Sequence, residues 1–460
     1  MTYQGNLQRG TSWQLIVSEL LVFGLIFVWP IQSTIALRNG LLGLLLLLML
    51  WSVWRNRASG FRSYGDLVGV SGTALLLLTG WIVIQAAFIS PFPEKAFQEI
   101  TGQWLKGLAC FMLGMLVVSI AAINRPHDRR PIWLWLVTVV LGLQVALTVA
   151  DGFYLYAQTG AFQLGVARLM GHKALASYVC NTLFAVLAAD ILGRIFFRKR
   201  LLPMPLVGVL GLIVLGLVCT WIIQARNGLI GLGSLLLSCL VIVWLEKRAQ
   251  ARAGKLGLIL MLIAGLFIAF AWGNYKTDPR WQKFEESAAL GWQLDASHAW
   301  IKPAVHPYPL MSNGEQVDVS AYERTAWIKS GVILALQHPL GLGYDRSSYG
   351  RARALHYGPD AQEGVGDHSH SSLIDLAIGI GIPGLLLWMA FLVALMLAGW
   401  RAFNRSHNAE GLVLIFLVTG FFGRSLIDSN IRDHMLEQFM FLAALLLAET
   451  RRSDPLDNPS

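Results

Sequence analysis

Repeated apolar blocks, each about 18 to 25 residues long, make up most of this chain. A block of that length can cross a hydrocarbon core roughly 30 Å thick. Each crossing block must be helical, because lipid offers the backbone no hydrogen-bond partner. Only 14% of the 460 residues are charged, whereas soluble domains carry about 25%. The sequence therefore predicts an all-α polytopic membrane protein.

The blocks predict about 12 transmembrane helices. The second, eighth and twelfth blocks are short or closely followed by a turn, which leaves a range of about 11 to 13. The tenth block carries Gly379, Gly381, Pro383 and Gly384, so we expect it to begin as a separate short segment before the true span. The predicted helices lie near residues 13–31, 40–54, 67–89, 105–123, 132–150, 174–197, 203–224, 228–245, 256–273, 373–400, 411–427 and 436–449.

The net charge of +9 is concentrated in alternate short loops between the apolar blocks. By the positive-inside rule these basic loops face the cytoplasm, which places both termini there, as an even number of spans also requires. The charge therefore reflects membrane topology, and no nucleic-acid partner is expected. The residues concerned are Arg55, Arg57, Arg62, Arg125, Arg129, Arg130, Arg198, Lys199, Arg200, Lys247, Arg248, Arg252, Lys255, Arg401, Arg405, Arg451 and Arg452.

Once the loops are assigned to the two sides of the membrane, the chain divides into four parts. Residues 1–273 form a membrane bundle of about nine helices. Residues 274–372 form a large loop outside the cytoplasm, residues 373–450 form the last membrane helices, and residues 451–460 form a cytoplasmic tail. In the loop, the spacing of apolar residues over 319–337 predicts an amphipathic helix that ends before Pro339 and Gly341. A loop this long is usually functional.

Two features of the chain favour structural interpretations. The polar stretch Met1–Ser12 shows no signal peptide, so the first block is expected to be a retained helix. The four cysteines all fall inside apolar blocks, which is typical of small buried hydrophobic side chains rather than of disulfides or metal ligands. They are Cys110, Cys180, Cys219 and Cys239.

The densest polar cluster lies in the large loop, between Tyr322 and His370. Within it, His338 ends the predicted amphipathic helix just before Pro339. A histidine there can transfer protons at neutral pH, since its ordinary pKa is near 6.5. The same position also suits a histidine that caps the helix C-terminus, because cations are favoured at that end. The spacing alone leaves both interpretations open.

The order and spacing of this cluster resemble those of the O-antigen ligase/polymerase superfamily. That family also has a large periplasmic loop late in a chain of about ten to twelve membrane helices. The topology resembles the family over nearly the whole chain, and the motifs do so over about residues 324–384. Ser371 follows His370, where the family often has Asn or Gln. The matching residues are Arg324, Trp327, His338, Pro339, Leu340, Gly343, His370, Gly381 and Gly384.

The resemblance implies glycosyl transfer in the bacterial inner membrane. In the ligase branch, a glycan moves from an undecaprenyl pyrophosphate carrier to a sugar hydroxyl of lipid A–core. Family ligases are regarded as metal-independent inverting transferases with a GT-C-type fold, so neither cofactor nor metal is implied. Carried onto this chain, the resemblance makes His338 the candidate base. The implied partners are the lipid-linked donor, the lipid A–core acceptor and membrane lipids.

A pyrophosphate leaving group needs positive charge or a metal ion to hold its developing charge. The non-cytoplasmic face has no Asp-x-Asp motif, but it has cations at helix ends, and arginine suits phosphate because its planar fork binds two oxygens at once. Arg226 resembles the arginine of a Ser-Arg-Gly pattern in the family, although Ala225 stands in place of the serine. The candidate donor-binding residues are Arg168, Lys173, Arg226, Arg346, Arg424 and Arg432.

Each of these cations has a structural alternative. Arg226 could reach lipid phosphates, and Arg424 or Arg432 could pair with Asp428 or Asp433. Three further loop residues are candidates for the motif or for acceptor binding, namely Arg324, Tyr344 and His370, of which Arg324 could instead pair with Glu323. His368 and His370 could supply two metal ligands beside Asp367, but no third and fourth ligands are evident.

Other functions remain open from the sequence. A polymerase of the same superfamily would lengthen glycans on the carrier, and a related protein O-oligosaccharyltransferase would move them to protein hydroxyls. A transporter belongs to a different class, and it should show inverted repeats and interrupted helices in matching halves. Neither feature is clear here, and the loop rich in His and Arg favours an enzyme.

Overall fold

A computed structural model describes residues 12–55, 64–124, 132–246, 253–277, 279–358, 361 and 367–452. This part of the chain is helical apart from its loops and one isolated bridge between Leu310 and Gln316. The predictions for residues 1–11 and for the tail beyond 452 lie outside the described residues. So do the predicted topogenic residues Arg57, Arg62, Arg125, Arg129, Arg130, Lys247, Arg248 and Arg252.

The helices follow the predicted blocks. A π-helical turn, Ile100–Trp104, joins α4 to α5, and a 3-10 turn, Pro279–Trp281, follows α10. The helices are α1 (Ser12–Val28), α2 (Ile35–Arg55), α3 (Tyr64–Phe88), α4 (Pro93–Glu99), α5 (Leu105–Asn124), α6 (Ile132–Thr159), α7 (Lys173–Phe197), α8 (Leu206–Ile223), α9 (Arg226–Leu245), α10 (Ala253–Thr277), α11 (Phe284–Trp292), α12 (Val319–Gln337), α13 (Ser348–Tyr357), α14 (Ser372–Ser406), α15 (Glu410–Ser425) and α16 (Asp433–Arg452).

Among the described residues, eight helices are long and apolar enough to cross a membrane. The prediction of an all-α, multi-pass membrane protein is therefore confirmed, whereas the number of about 12 spans stays a prediction. The eight are Ile35–Arg55, Gly69–Phe88, Pro93–Ala121, Ile132–Thr159, Lys173–Phe197, Leu206–Ile223, Arg226–Leu245 and Ser372–Arg405.

Helix α7 lies at the centre of the bundle, where it packs against α6, α8, α9 and α15. Helix α16 packs along α5, and α14 packs against α3 and α15. The four cysteines are buried in this bundle, as predicted. Helices α7 and α9 begin at residues that line one shared cavity, and the turns that follow α8 and α15 line it too, so these ends meet at one end of the bundle.

The large loop has its own hydrophobic cluster, which includes Trp300, Tyr322 and Trp327 and packs on the first residues of α14. Helix α12 confirms that residues 319–337 form a helix, and Asp318 caps it by accepting a hydrogen bond from the Ala321 backbone at 2.7 Å. The predicted apolar face is only partly buried, because Val332 and Leu336 are exposed. The assignment of residues 274–372 as a separate unit stays a prediction.

Helix α14 is broken at Gly381, whose φ of 72° and ψ of 174° are accessible essentially to glycine alone. This confirms the predicted short segment before the main span. The break allows the loop after α12 to bond to the α14 backbone. Leu342 N–H donates to Ile378 O, Gly343 N–H donates to Gly379 O, and Ile382 N–H donates to Pro339 O, each at 2.8 Å.

Two glycines allow this contact between backbones. A Cβ on Gly341 would lie 2.5 Å from Gly379 O, and a Cβ on Gly381 would lie 2.7 Å from Pro339 O. Helix α3 bonds to the same segments, since Trp81 Nε1 donates to Ile380 O at 2.7 Å. Gly341 and Gly381 therefore have a structural role, because they let the large loop bond to α14 and α3.

Replacement of Gly381 by alanine is expected to lower the free energy of unfolding by about 3 kcal/mol or more, because strain at positive φ adds to the overlap with the backbone. Gly314→Ala is the matched control, since Gly314 also has a positive φ (79°) but has no atom within 4 Å of its would-be Cβ. The control should lose only about 1 kcal/mol. Chemical unfolding in detergent measures both losses, and equal losses would contradict the backbone contact.

Candidate functional site

An open cavity of about 460 Å³ lies where the helix ends meet. It is bordered by the α1–α2 turn, the start of α7, the α8–α9 turn, the start of α12, the segment before α14 and the α15–α16 turn. The lining residues are Gln32, His172, Lys173, Ala174, Leu175, Gln224, Ala225, Arg226, Asn227, Arg280, Ser320, Arg324, His368, His370, Asp428, Ser429, Arg432 and Met435.

Two long helices begin at the cavity wall. Lys173 is the first residue of α7, and Arg226 is the first residue of α9. Gln224 and Ala225 make the turn from α8 to α9, and Gln224 adopts the left-handed conformation that reverses the chain (φ 44°). The first N–H groups of a helix have no partner within the helix, and its N-terminus is electropositive. The wall therefore favours anionic ligands.

The charged side chains of the cavity are mostly basic. Five cations line it, against a single carboxylate, Asp428. The cations are Lys173, Arg226, Arg280, Arg324 and Arg432. In a cleft with low-dielectric walls such an imbalance raises the local concentration of anions.

Three side-chain N–H groups at the cavity are buried and have no hydrogen-bond partner in the part of the chain that the structure describes. They are Gln224 Nε2, Arg324 Nε and Arg432 Nε. A buried donor without a partner loses the free energy of its hydration, and most such groups in folded proteins are paired. Burial, together with the charge of Arg226, lowers the pKa of Arg324. An anionic ligand rich in acceptor atoms would satisfy these donors.

Arg226 is held at the α9 N-terminus by two contacts. Its Nη2 lies 3.4 Å from Asp318 Oδ1, and its guanidinium lies over the ring of Trp281 at 5.6 Å. Asp318 is also the residue that caps α12. The side chain of Arg226 is therefore partly ordered before any ligand binds, and its position is linked to the start of α12.

Two histidines line the cavity from the segment before α14. The ring of His370 lies almost parallel to that of Trp327, with centroids 5.4 Å apart, and 4.3 Å from that of His368. Burial, the neighbouring His368 and Arg324 lower the pKa of His370 to about 3. Burial and Arg432 lower the pKa of His368. Both imidazoles are therefore neutral at physiological pH, and each has a ring nitrogen that can accept a hydrogen bond.

The shifted pKa of His370 predicts a pH-dependent stability. Below the pKa of an unfolded histidine, about 6.5, the unfolded chain binds a proton that the folded chain does not bind until about pH 3. The free energy of unfolding should therefore fall as the pH falls through this window, by about 2 kcal/mol between pH 6.5 and pH 5. Melting curves at both pH values should show a smaller fall for His370→Gln. An equal fall in the two proteins would contradict the shift.

Asp428 joins several elements at the cavity wall. Its carboxylate accepts hydrogen bonds from Arg424 Nη2 at 2.6 Å and Asn227 Nδ2 at 2.7 Å. Arg424 is fully buried and also donates to Ser177 Oγ at 2.7 Å and to the Ala174 carbonyl at 3.0 Å. Arg424 does not line the cavity; it connects α15 to the start of α7.

Residues 211–389 match a family model described as O-antigen ligase. Over this stretch the chain is similar to the O-antigen ligase/polymerase superfamily. Members of this glycosyltransferase-like superfamily act in general on lipid-linked glycans and lipid-type substrates. The match contains Arg226, Arg280, Arg324, His368 and His370 of the cavity, whereas Lys173, Asp428 and Arg432 lie outside it. No curated protein matches the chain.

The cavity brings together five of the candidate residues named from the sequence, and these are Arg226, Lys173, Arg432, Arg324 and His370. They come from helices α7, α9 and α12 and from the segments next to α14 and α16. The roles of these residues in binding or catalysis stay predictions.

Three other candidates lie away from the cavity. Arg168 forms an ion pair with Asp151 and is half exposed. Arg346 Nε bonds to Glu99 Oε2 at 2.7 Å, which ties the large loop to α4. The ring of Tyr344 packs edge-on against Trp104 at 5.7 Å.

His338 also does not line the cavity. It follows the last residue of α12, where its N–H donates to Leu334 O at 3.1 Å and its carbonyl accepts from Gly341 N–H at 2.9 Å. It therefore takes part in the turn that joins α12 to the glycine contact with α14. This position favours the capping interpretation of His338, while its role as a base stays a prediction.

Sequence reasoning missed some of the cavity residues. Arg280 approaches from the turn after α10, and its Nη2 donates to the Gln224 carbonyl at 3.3 Å. In the sequence, the one indication of Arg280 was that it is a cation beside Trp281 at the very start of the large loop. His172 caps α7 through Nδ1, which accepts from Ala174 N–H at 3.2 Å. His368 was considered only as a metal ligand. Over the described residues, no three His, Cys, Asp or Glu side chains cluster as a metal site would require.

Proposed function

We propose that this protein is an O-antigen ligase. It transfers a glycan from an undecaprenyl pyrophosphate carrier to a sugar hydroxyl of lipid A–core, with inversion at the anomeric carbon. The observation that carries the proposal is the cavity, in which five cations and three buried N–H groups without partners surround the start of two long helices. A pyrophosphate has the charge and the acceptor oxygens that such a site needs.

The donor pyrophosphate is held by the cations of the cavity. Arg226 and Lys173 contribute from the helix N-termini, and Arg324 faces them from α12. Arg280 and Arg432 supply the remaining positive charge. Arg424 supports the site indirectly, because it holds Asp428 and the start of α7 in place. The cations bind the pyrophosphate most strongly in the transition state, because negative charge develops on it as it leaves.

The transfer itself is a direct displacement. The oxygen of an acceptor hydroxyl forms a bond to the anomeric carbon, and the bond from that carbon to the pyrophosphate oxygen breaks. The electron pair of the broken bond leaves with the undecaprenyl pyrophosphate. The hydroxyl proton passes to His370, which lines the cavity, whereas His338 does not. The lowered pKa of His370 is raised again when the pyrophosphate anion binds beside it and offsets the charge of Arg324.

The proposal includes the cellular arrangement. The protein lies in the bacterial inner membrane with both termini in the cytoplasm, and the cavity faces the periplasm. Basic residues in the loops opposite the cavity support this orientation, since Arg198, Lys199 and Arg200 follow α7 at the end remote from Lys173. The polyprenyl chain of the donor then lies in the membrane while its glycan extends into the periplasm.

Reconstituted transfer tests the proposal. Purified protein is incubated with undecaprenyl pyrophosphate-linked glycan, lipid A–core and EDTA, and the products are separated by gel. A ligase forms core-linked glycan. Chains that lengthen on the carrier while the core stays bare would instead identify a polymerase. Glycan on an added protein acceptor alone would identify an O-oligosaccharyltransferase, and no transfer to any acceptor would contradict enzymatic function.

A further inference from the structure

The segment that carries His368 and His370 has an unfavourable backbone conformation. His370 has a φ of 58°, in the left-handed region that side chains other than glycine rarely adopt. Strained conformations of this kind persist only where surrounding contacts enforce them. Stacking on Trp327 orients the ring of His370, but it does not hold the backbone on either side. Other residues must therefore restrain this segment.

Asp375 provides such a restraint. It lies in the first turns of α14 and is 5% exposed. One carboxylate oxygen, Oδ1, accepts a hydrogen bond from the Ser369 backbone N–H at 2.9 Å. The other, Oδ2, accepts from the Ser429 hydroxyl at 2.7 Å. Ser369 lies between the two histidines, and Ser429 lines the cavity on the facing α15–α16 turn.

The same two segments are joined next to Asp375 by a second set of bonds. Ser372 donates to the Asp428 carbonyl both from its backbone N–H at 3.1 Å and from its hydroxyl at 2.9 Å. These bonds hold the start of α14, and the hydroxyl of Ser369 bonds only within its own segment, to the backbone of Ser371. The Ser369 N–H and the Ser429 hydroxyl are joined to each other through Asp375. A carboxylate accepts without donating, so one buried group can hold a backbone N–H and a hydroxyl at once.

We propose that Asp375 is a positioning residue for the transfer step: its carboxylate fixes the His368–His370 segment and the Ser429 turn relative to each other, so that His370 faces the acceptor hydroxyl. The proposal rests on the proposed function of the cavity. Asp375 touches neither substrate. Its loss moves the histidines while the pyrophosphate-binding cations on α7, α9 and α12 stay in place.

The test compares three variants in the transfer assay, with binding of inorganic pyrophosphate measured separately. Asp375→Ala is expected to lower kcat by about 100-fold, since a displacement of about 1 Å at a reacting group can cost that much. KM for the donor and Kd for pyrophosphate should change by less than about threefold. Asp375→Asn keeps an oxygen for the Ser369 N–H, so kcat should fall by only about tenfold, and Ser429→Ala should resemble it.

A structural readout accompanies the kinetics. Amide hydrogen exchange of residues 367–372 should rise in Asp375→Ala and rise less in Asp375→Asn. Asp190→Ala is the matched control, because Asp190 is also buried and accepts from two backbone N–H groups, those of Leu201 and Leu202 at 2.8 and 2.9 Å. It lies about 25 Å along α7 from Lys173. The control should lose thermal stability without a change in kcat.

The outcomes separate the two proposals. Unchanged kcat, or unchanged exchange of residues 367–372, in folded Asp375→Ala overturns the positioning role. A loss of pyrophosphate affinity as large as the loss of kcat also overturns it, because the residue would then act on the whole site. If wild-type protein transfers nothing, it is the proposed function that fails. If Asp375→Ala does not fold, Asp375→Asn and Ser429→Ala decide by the same criteria.

Discussion

Replacement of Arg324 by alanine is expected to lower kcat/KM for the lipid-linked donor by about 100- to 1,000-fold. Its Nε is buried at the cavity without a hydrogen-bond partner among the described residues, and under the proposed function the donor pyrophosphate would supply the acceptor. The loss should fall mostly on kcat, since the negative charge on the leaving pyrophosphate develops in the transition state. Initial rates at several donor concentrations measure it.

Two further variants make this prediction specific. Arg324→Lys should recover only part of the rate, because an ammonium is a point charge and cannot bind two oxygens with a planar fork. Arg351→Ala is the matched control, as Arg351 lies on the large loop in an ion pair with Asp345 and over the ring of Phe92, outside the cavity. It should keep kcat/KM within about threefold. Equal losses in Arg324→Ala and Arg351→Ala would contradict a specific phosphate role.

Replacement of His370 by alanine is expected to lower kcat by about 100-fold or more, the usual contribution of a general base. His338→Ala should keep kcat within about threefold, because His338 ends α12 outside the cavity. Each variant serves as a control for the other, since both residues belong to the large loop and its junction with α14. Single-turnover rates with saturating donor and acceptor measure the chemical step directly.

Thermal melting of both variants serves as the control for folding. The opposite result, with His370→Ala active and His338→Ala inactive, would return the role of base to His338, as the sequence pattern suggested. If both variants lose activity at unchanged stability, the turn after α12 contributes to the site through a movement that this structure does not show.

The membrane helices could be predicted from the sequence because their signal is local. Each of the twelve apolar blocks coincides with a helix, and the bounds of α12 follow from the capping residue Asp318 and the breaker Pro339. The break at Gly381 was also predicted, since a proline and three glycines interrupt an otherwise apolar block. Hydrophobic periodicity and helix breakers act over a few residues, which is why a single sequence contains them.

The candidate site could be predicted only in part, because the cavity is made by residues far apart in the chain. Arg226 and Lys173 were identifiable because each begins a helix after a short turn. Arg280 was not, since its distance from Arg226 depends on how α10 and the large loop pack. No local rule distinguishes a cation that faces a cavity from Arg168 or Arg346, which pair with Asp151 and Glu99 instead.

The assignments of His338 and His370 were limited in the same way, because the sequence does not show how distant segments pack. His338 stands in the most regular part of the motif, but that regularity reflects the packing of Gly341 and Gly381 against each other's backbone. His370 stands in a less regular segment, and its place in the cavity depends on the stack with Trp327 and on the distant Asp428–Ser429 turn. A motif can therefore mark a region of the chain while the packing decides which of its residues line the cavity.

A structure of the protein in lipid nanodiscs loaded with undecaprenyl pyrophosphate would show directly whether the cavity binds the donor. We expect density for the pyrophosphate in the cavity, within hydrogen-bond distance of Arg226 and Arg324, with the polyprenyl chain running into the lipid. Density beside His338 and Arg346 instead, with the cavity empty, would contradict it.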